Sequence, residues 1–222
     1  MRVIFCGYRD WSFNVLESLK KKYEDKHQIF LAKNPEELNL YFKDGCDVVL
    51  AIGWSWRIPD EIIDSCFVAG MHPSDLPEYA GGSPIQHQVL DGITRTKATL
   101  FRLRKEMDAG EIIDKENLSL EGQIGEILKS IEASTVSLLI RFIDAFPDIT
   151  MKKQNKEKLK IKKRLKPESG KIELPDGFSC ASLWDFIRCR GEPYPDAYFE
   201  DETGKIEIKS VKFIKKIHPG DK

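Results

Sequence analysis

His72 is the residue from which a chemical reading starts. It sits in GMHPSDLPEYAGG, residues 70–82, a run of prolines and glycines that follows an apolar strand. Such a loop holds a fixed backbone shape at a strand end, where reactive side chains are commonly presented. A neutral imidazole near pH 7 accepts and releases protons. The other histidines, His27, His87 and His218, lack that setting. Asp108, in MDAGE, is the natural partner, and Gly110 permits a close turn beside it. An Asp-x-Gly turn alone is equally an ordinary Asx turn. A His loop and an Asp turn at edges of one sheet point to proton management in a cleft.

The elements that must position these residues are legible as periodicity. Arg2–Cys6 reads as a strand, followed by a helix over 12–24 with Phe13, Leu16, Leu19 and Tyr23 on one face. A short strand over 27–31 leads to a helix opened by Asn34 or Pro35. CDVVLAIGW is a continuous apolar run, as in a strand buried on both faces of a parallel sheet. Pro59 opens another short helix, and a strand over 67–70 delivers the His loop. This alternation predicts an α/β, Rossmann-like, mostly parallel sheet with helices on both faces. Ligands on such sheets bind beyond the carboxyl ends of the strands, so GWSWRIP and the His loop should converge on one crevice.

Downstream, a helix over 83–90, a strand over 97–103, and a turn at 106–113 feeding another strand are expected. A long amphipathic helix should cover 123–146, ended by Pro147. Residues 152–166 are lysine-rich, either a solvated linker or an electropositive strip facing an anionic substrate. A small helix (FSCASLWDFIRCR) and a β-hairpin turning near Thr203-Gly204 complete a C-terminal appendage. The expected division is 1–150 catalytic domain, 151–175 basic linker and 176–222 appendage. The hairpin could pair two copies into a homodimer, or remain an exposed edge.

Composition excludes several classes. The net charge of −1 argues against a general polyanion binder. Five cysteines with no CxxC pair suggest reduced thiols, with neither a zinc site nor a disulfide framework. The N-terminus does not read as a signal peptide, and no run of about 20 apolar residues spans a membrane. A cytoplasmic protein with no metal is expected.

HPSDLPEYAGGSPIQ followed by TLFRLRKEMDAGEII resembles the folate-dependent formyltransferase family, with its N-x-H-x-S-x-LP loop and downstream D-x-G turn. KRLKPESGKIEL and IRCRGEPYPDAYF extend the resemblance over nearly the whole chain. The resemblance implies a Rossmann-like catalytic domain and 10-formyltetrahydrofolate as formyl donor. His72 and Asp108 then take the catalytic roles. Trp54, Ser55, Trp56, Arg57 and Ile58, closed by Ala109 and Gly110, would line the folate pocket. Tyr8, Arg9, Trp11, Ser74, Tyr79, Gly81, Gly82 and Gln86 are candidates to bind the second substrate. Its look is nearest to enzymes that formylate a nucleotide-linked amino sugar, an anionic small molecule. Methionyl-tRNA, another small amine, and folate binding without turnover are the alternatives. One position departs from the family: where it carries Asn, two residues before the His, this chain has Gly70. Gln86 and Gln88 are possible substitute donors.

Overall fold

The computed structural model describes residues 1–173, 179–214 and 216. His218 and the residues joining the expected linker to the expected appendage lie outside this range. In chain order the elements are β1 (Arg2–Cys6), α1 (Asp10–Tyr23), β2 (Gln28–Ala32), α2 (Pro35–Phe42), β3 (Val48–Ala51), α3 (Asp60–Ser65) and β4 (Phe67–His72). Then come α4 (Pro84–Leu90), β5 (Arg95–Arg102), β6 (Ile112–Ser119), α5 (Ile124–Ala145), α6 (Cys180–Arg188), β7 (Ala197–Asp201) and β8 (Gly204–Ile208).

Six strands form one sheet in the order β2-β1-β3-β4-β5-β6. The first four are parallel; β5 and β6 run antiparallel on the β4 edge. Parity along each strand divides the core into two layers. Val3, Phe5, Val48 and Leu50 meet α1 and α5 through Val15, Leu16, Leu19, Ile131 and Leu138. Ile4, Cys6, Val49, Ala51 and Val68 meet α2 and α3 through Leu38, Ile62 and Ile63. Strands buried on both faces therefore read as unbroken apolar runs, as β3 does.

The strand order reverses direction at β1 and β3, which opens the crevice at their carboxyl ends. Gly53, at φ +66, turns the chain out of β3 into the WSWRIP loop. The expected end of β4 at residue 70 is corrected to His72. The antiparallel partner β5 extends the ladder, pairing Met71 with Leu100 and His72 with Thr99. His72 is thus the last residue of a strand, more rigidly held than a loop residue.

Residues 152–166 lie along the main body. Lys152 pairs with Ile112 in both directions at 2.8 Å, Lys162 N donates to Ala80 O at 2.7 Å, and Gly82 N donates to Lys162 O at 2.9 Å. The α6 and β7–β8 unit packs through Ile172, Ile187 and Ala197. It is joined to the main body by buried Arg188, which donates to Leu120 O and Gly122 O. All five cysteines are free thiols. No helix among the described residues is long and apolar enough to cross a membrane.

Candidate active site

His72 and Gly70 project from the same face of β4, because side chains two apart in a strand share a face. The loop after His72 spends its polar groups internally. Thr99 Oγ1 donates to Ser74 O at 2.6 Å, Ser74 Oγ to Glu78 O at 2.6 Å, and Gln88 Nε2 to Pro73 O at 2.8 Å. Tyr79 adopts φ +55, and its carbonyl lies 2.9 Å from His72 Nε2. A carbonyl only accepts, so Nε2 carries the proton and the neutral ring keeps its lone pair at Nδ1.

Asp108 comes to Nδ1 from an unexpected direction. The chain leaves β5 beside Val68, where Leu103 N donates to Val68 O at 2.8 Å. It then folds back over the sheet face, held by Arg104 on Glu111 (3.0 and 3.1 Å) and Lys105 on Asp64 (2.8 Å). The Arg104 hydrogen bond holds the Glu111 carboxyl below its usual range against the opposing effect of burial. Asp108 sits at φ +51, a left-handed conformation that Asp tolerates better than most residues. Its Oδ2 accepts from Gly81 N at 2.7 Å and stands 3.6 Å from His72 Nδ1. A proton taken up at Nδ1 would face this carboxylate, which stabilises the charged ring.

Two cavities share His72 as a wall. One, of about 730 Å³, is lined by Trp54, Ser55, Trp56, Arg57, Ile58, Gly70, Leu103 and Asp108 among others. Trp54 and Trp56 meet with ring centroids 4.8 Å apart. Trp54 Nε1 is buried without a hydrogen-bond partner among the described residues. Trp54, Trp56 and Ile58 give this cavity aromatic and apolar walls that suit a flat heterocycle, so the residues present fit a pterin. The second cavity, of about 300 Å³, carries Arg9, Trp11, Gln86, Arg164 and Tyr194. Arg9 and Arg164 both act on the Tyr194 hydroxyl, pulling against the burial that pushes it up. Neither guanidinium forms an ion pair among the described residues.

Several candidate residues are placed otherwise than expected. Ser74 is fully buried with its hydroxyl committed to Glu78 O, so it lines neither cavity. Tyr79 contributes its carbonyl; its hydroxyl donates to Asp91 Oδ2, and burial followed by that bond pushes it up to about 12. Tyr8 props the WSWRIP loop by donating to Ser55 Oγ at 2.6 Å and packing on Trp56. Ala109 and Gly110 face a neighbouring cavity, because Gly110 lies tight against Arg102 O on the far side of the turn. Gln86 and Gln88 donate to main-chain carbonyls, Cys189 O and Pro73 O, and so do not replace an Asn at position 70. Gly81 borders both cavities, whereas Gly82 borders only the first, away from the second cavity. A Cβ on Gly81 would meet Lys162 O at 2.4 Å, and one on Gly82 would meet Arg164 Cα at 2.5 Å. Sequence reasoning missed Leu103, Tyr194 and Gln154, although each lies in a stretch that had drawn notice: TLFRLRKEMDAGEII, PYPDAYF and the lysine-rich segment.

A strand-end imidazole, a carboxylate from a D-x-G turn, and two cavities thus meet at one place on a Rossmann-like sheet. Residues 14–137 match the Formyl transferase family model, and the chain belongs to that family. It is 28% identical over 193 residues to the methionyl-tRNA formyltransferase of Rickettsia typhi, covering 84% of this chain and 62% of that protein. The chain thus spans about 62% of the length of the curated relatives it matches first. A solved structure, methionyl-tRNA formyltransferase from Clostridium thermocellum, superposes with TM-score 0.86 at 27% identity, covering 96% of this chain and 94% of that one. A sugar N-formyltransferase from Shewanella sp. FDAARGOS_354 shares the fold, with TM-score 0.75 at 16% identity over 97% and 99% of the two chains.

Proposed function

We propose that this protein transfers a formyl group from 10-formyltetrahydrofolate to the amine of a small anionic acceptor, a nucleotide-linked amino sugar. The observation that carries the reading is His72 on the common wall of two cavities with Asp108 at its Nδ1. The donor supplies an activated formyl carbon on nitrogen. Trp54, Trp56 and Ile58 would hold its flat ring, with Asp108 at the reacting end.

An amine attacking a carbonyl carbon sheds a proton and leaves negative charge on oxygen. Nδ1 is the free ring nitrogen, placed to take that proton and return it to the leaving nitrogen. While protonated, the ring sets a positive charge beside the developing negative charge, and Asp108 steadies the imidazolium. Position 70 supplies no side-chain donor, so the charge rests on fewer hydrogen bonds than the family pattern implies.

The small second cavity with two guanidiniums that form no ion pair among the described residues favours a compact acceptor bearing phosphates. The similarity to methionyl-tRNA formyltransferases favours a second reading, with charged initiator tRNA as acceptor. The test is incubation with 10-formyltetrahydrofolate and either a panel of amino-sugar nucleotides or methionyl-tRNA, read by mass. A gain of one formyl group on a sugar nucleotide supports the first reading, and a gain on the tRNA alone supports the second. Tight folate binding with no transfer to any amine would overturn both.

A further inference from the structure

We propose that Gln154 is a positioning residue that sets the D-x-G turn and, through it, the Asp108 carboxylate. The inference rests on the formyl-transfer reading of the His72–Asp108 pair. Gln154 lies in the lysine-rich segment, beyond α5 and past the last residue of the family match. Its Nε2 donates to Asp108 O at 2.8 Å and to Gly110 O at 2.7 Å. A primary amide has two N–H groups on one planar nitrogen, and these carbonyls use both. Asn carries the same group but is one methylene shorter.

The turn needs such a clamp. Asp108 is held in a left-handed conformation, and its carbonyl and that of Gly110 converge on one point. Without Gln154 both would lose a partner, which is unfavourable for shielded carbonyls. Gln154 Oε1 is buried with no partner among the described residues. Flipping the amide would bring Oε1 against two carbonyl oxygens, so the observed orientation is the one that serves the turn.

The same segment grips the other side of the carboxylate. Lys162 bridges Ala80 and Gly82 through main-chain bonds, and between them Gly81 N donates to Asp108 Oδ2. Residues 152–162 therefore hold both the turn that carries Asp108 and the loop that receives it. The strip acts on the reaction through geometry, independently of its lysine charge.

The test uses Gln154→Met, which keeps length and an apolar stem, and Gln154→Glu, which sets a carboxylate against the two carbonyls. Formyl-transfer kinetics, melting temperature and site-resolved amide exchange are measured on the full chain. Misplacing a reacting group by about 1 Å costs on the order of 100-fold in rate. The expected result is a kcat lower by about 10- to 100-fold, with KM for donor and acceptor within about threefold of wild type. Gly81 amide exchange should rise about tenfold or more while amides of β1 and β3 are unchanged. Folded variants with wild-type kcat and wild-type Gly81 protection would overturn the proposal. So would a rate loss accompanied by uniformly faster exchange through the core, which marks general destabilisation. If wild type transfers no formyl group yet the Gly81 effect appears, the reaction reading fails and the positioning role stands.

Discussion

Replacing Gly70 by Asn tests the chemistry most directly. A Cβ at position 70 would point along the His72 face and meet Leu103 Cδ1 at 2.2 Å and Phe101 Cε1 at 3.4 Å. The first overlap is with the end of a flexible side chain, which can rotate; overpacking of this kind costs about 1–3 kcal/mol. For a chain of this size, that lowers the melting temperature by roughly 2–4 °C per kcal/mol. In return, the variant gains a neutral amide donor beside the imidazole. One such donor is worth about 2.7–4 kcal/mol of transition-state stabilisation, or about 100- to 1000-fold in kcat. The catalytic gain therefore outweighs the packing loss, because the loss falls on stability and the gain on the barrier. Gly70→Asn combined with Leu103→Ala relieves the overlap and separates the two effects. Single-turnover formyl transfer at saturating donor, with calorimetry on the same samples, reads both. A folded double variant whose kcat equals wild type would refute the reasoning: position 70 would then not be where the oxyanion needs a donor.

Three further outcomes follow from the same geometry. His72→Ala should lower kcat by about 100- to 10,000-fold, the range for losing a general acid–base group; a folded variant with unchanged kcat would remove the imidazole from the mechanism. Arg9→Ala and Arg164→Ala should each raise KM for a diphosphate-bearing acceptor by about tenfold, as expected for losing a charge-assisted hydrogen bond, and leave KM for the folate donor unchanged; initial-rate kinetics checks both. The Glu111 carboxyl is held below its usual range chiefly by its hydrogen bond to Arg104, so the stabilisation is full above the unfolded value of about 4.3 and fades as pH falls through the lower folded value. The pair is partly exposed, so about 1 kcal/mol or less is at stake. Urea midpoints of wild type and Arg104→Ala should differ at pH 7 and converge in acid.

The alternation of apolar runs and helical periodicity in the first 70 residues determined the parallel part of the sheet. The reason is local: strands buried on both faces are continuously apolar, and crossover helices show a 3.6-residue period. The types and spacing of His72, Asp108 and Gly110 likewise pointed to a candidate pair, and the structure places His72 Nδ1 3.6 Å from Asp108 Oδ2. Which groups meet was decided only by tertiary structure. Asp108 reaches His72 by folding back across the sheet face from a strand that ends beside Val68, a path set by pairing with β5 and by Arg104 and Lys105 anchoring the turn. Ser74 and Tyr79 look like ligand residues in a linear string, yet the loop uses their side chains to satisfy its own polar groups. Gln154 sits in a stretch whose charge masks its role, because what matters is two carbonyls brought together from a turn over forty residues earlier. Periodicity records the face each residue shows to its neighbours in sequence; long-range hydrogen bonds carry no such signature, and the folded chain alone assigns them.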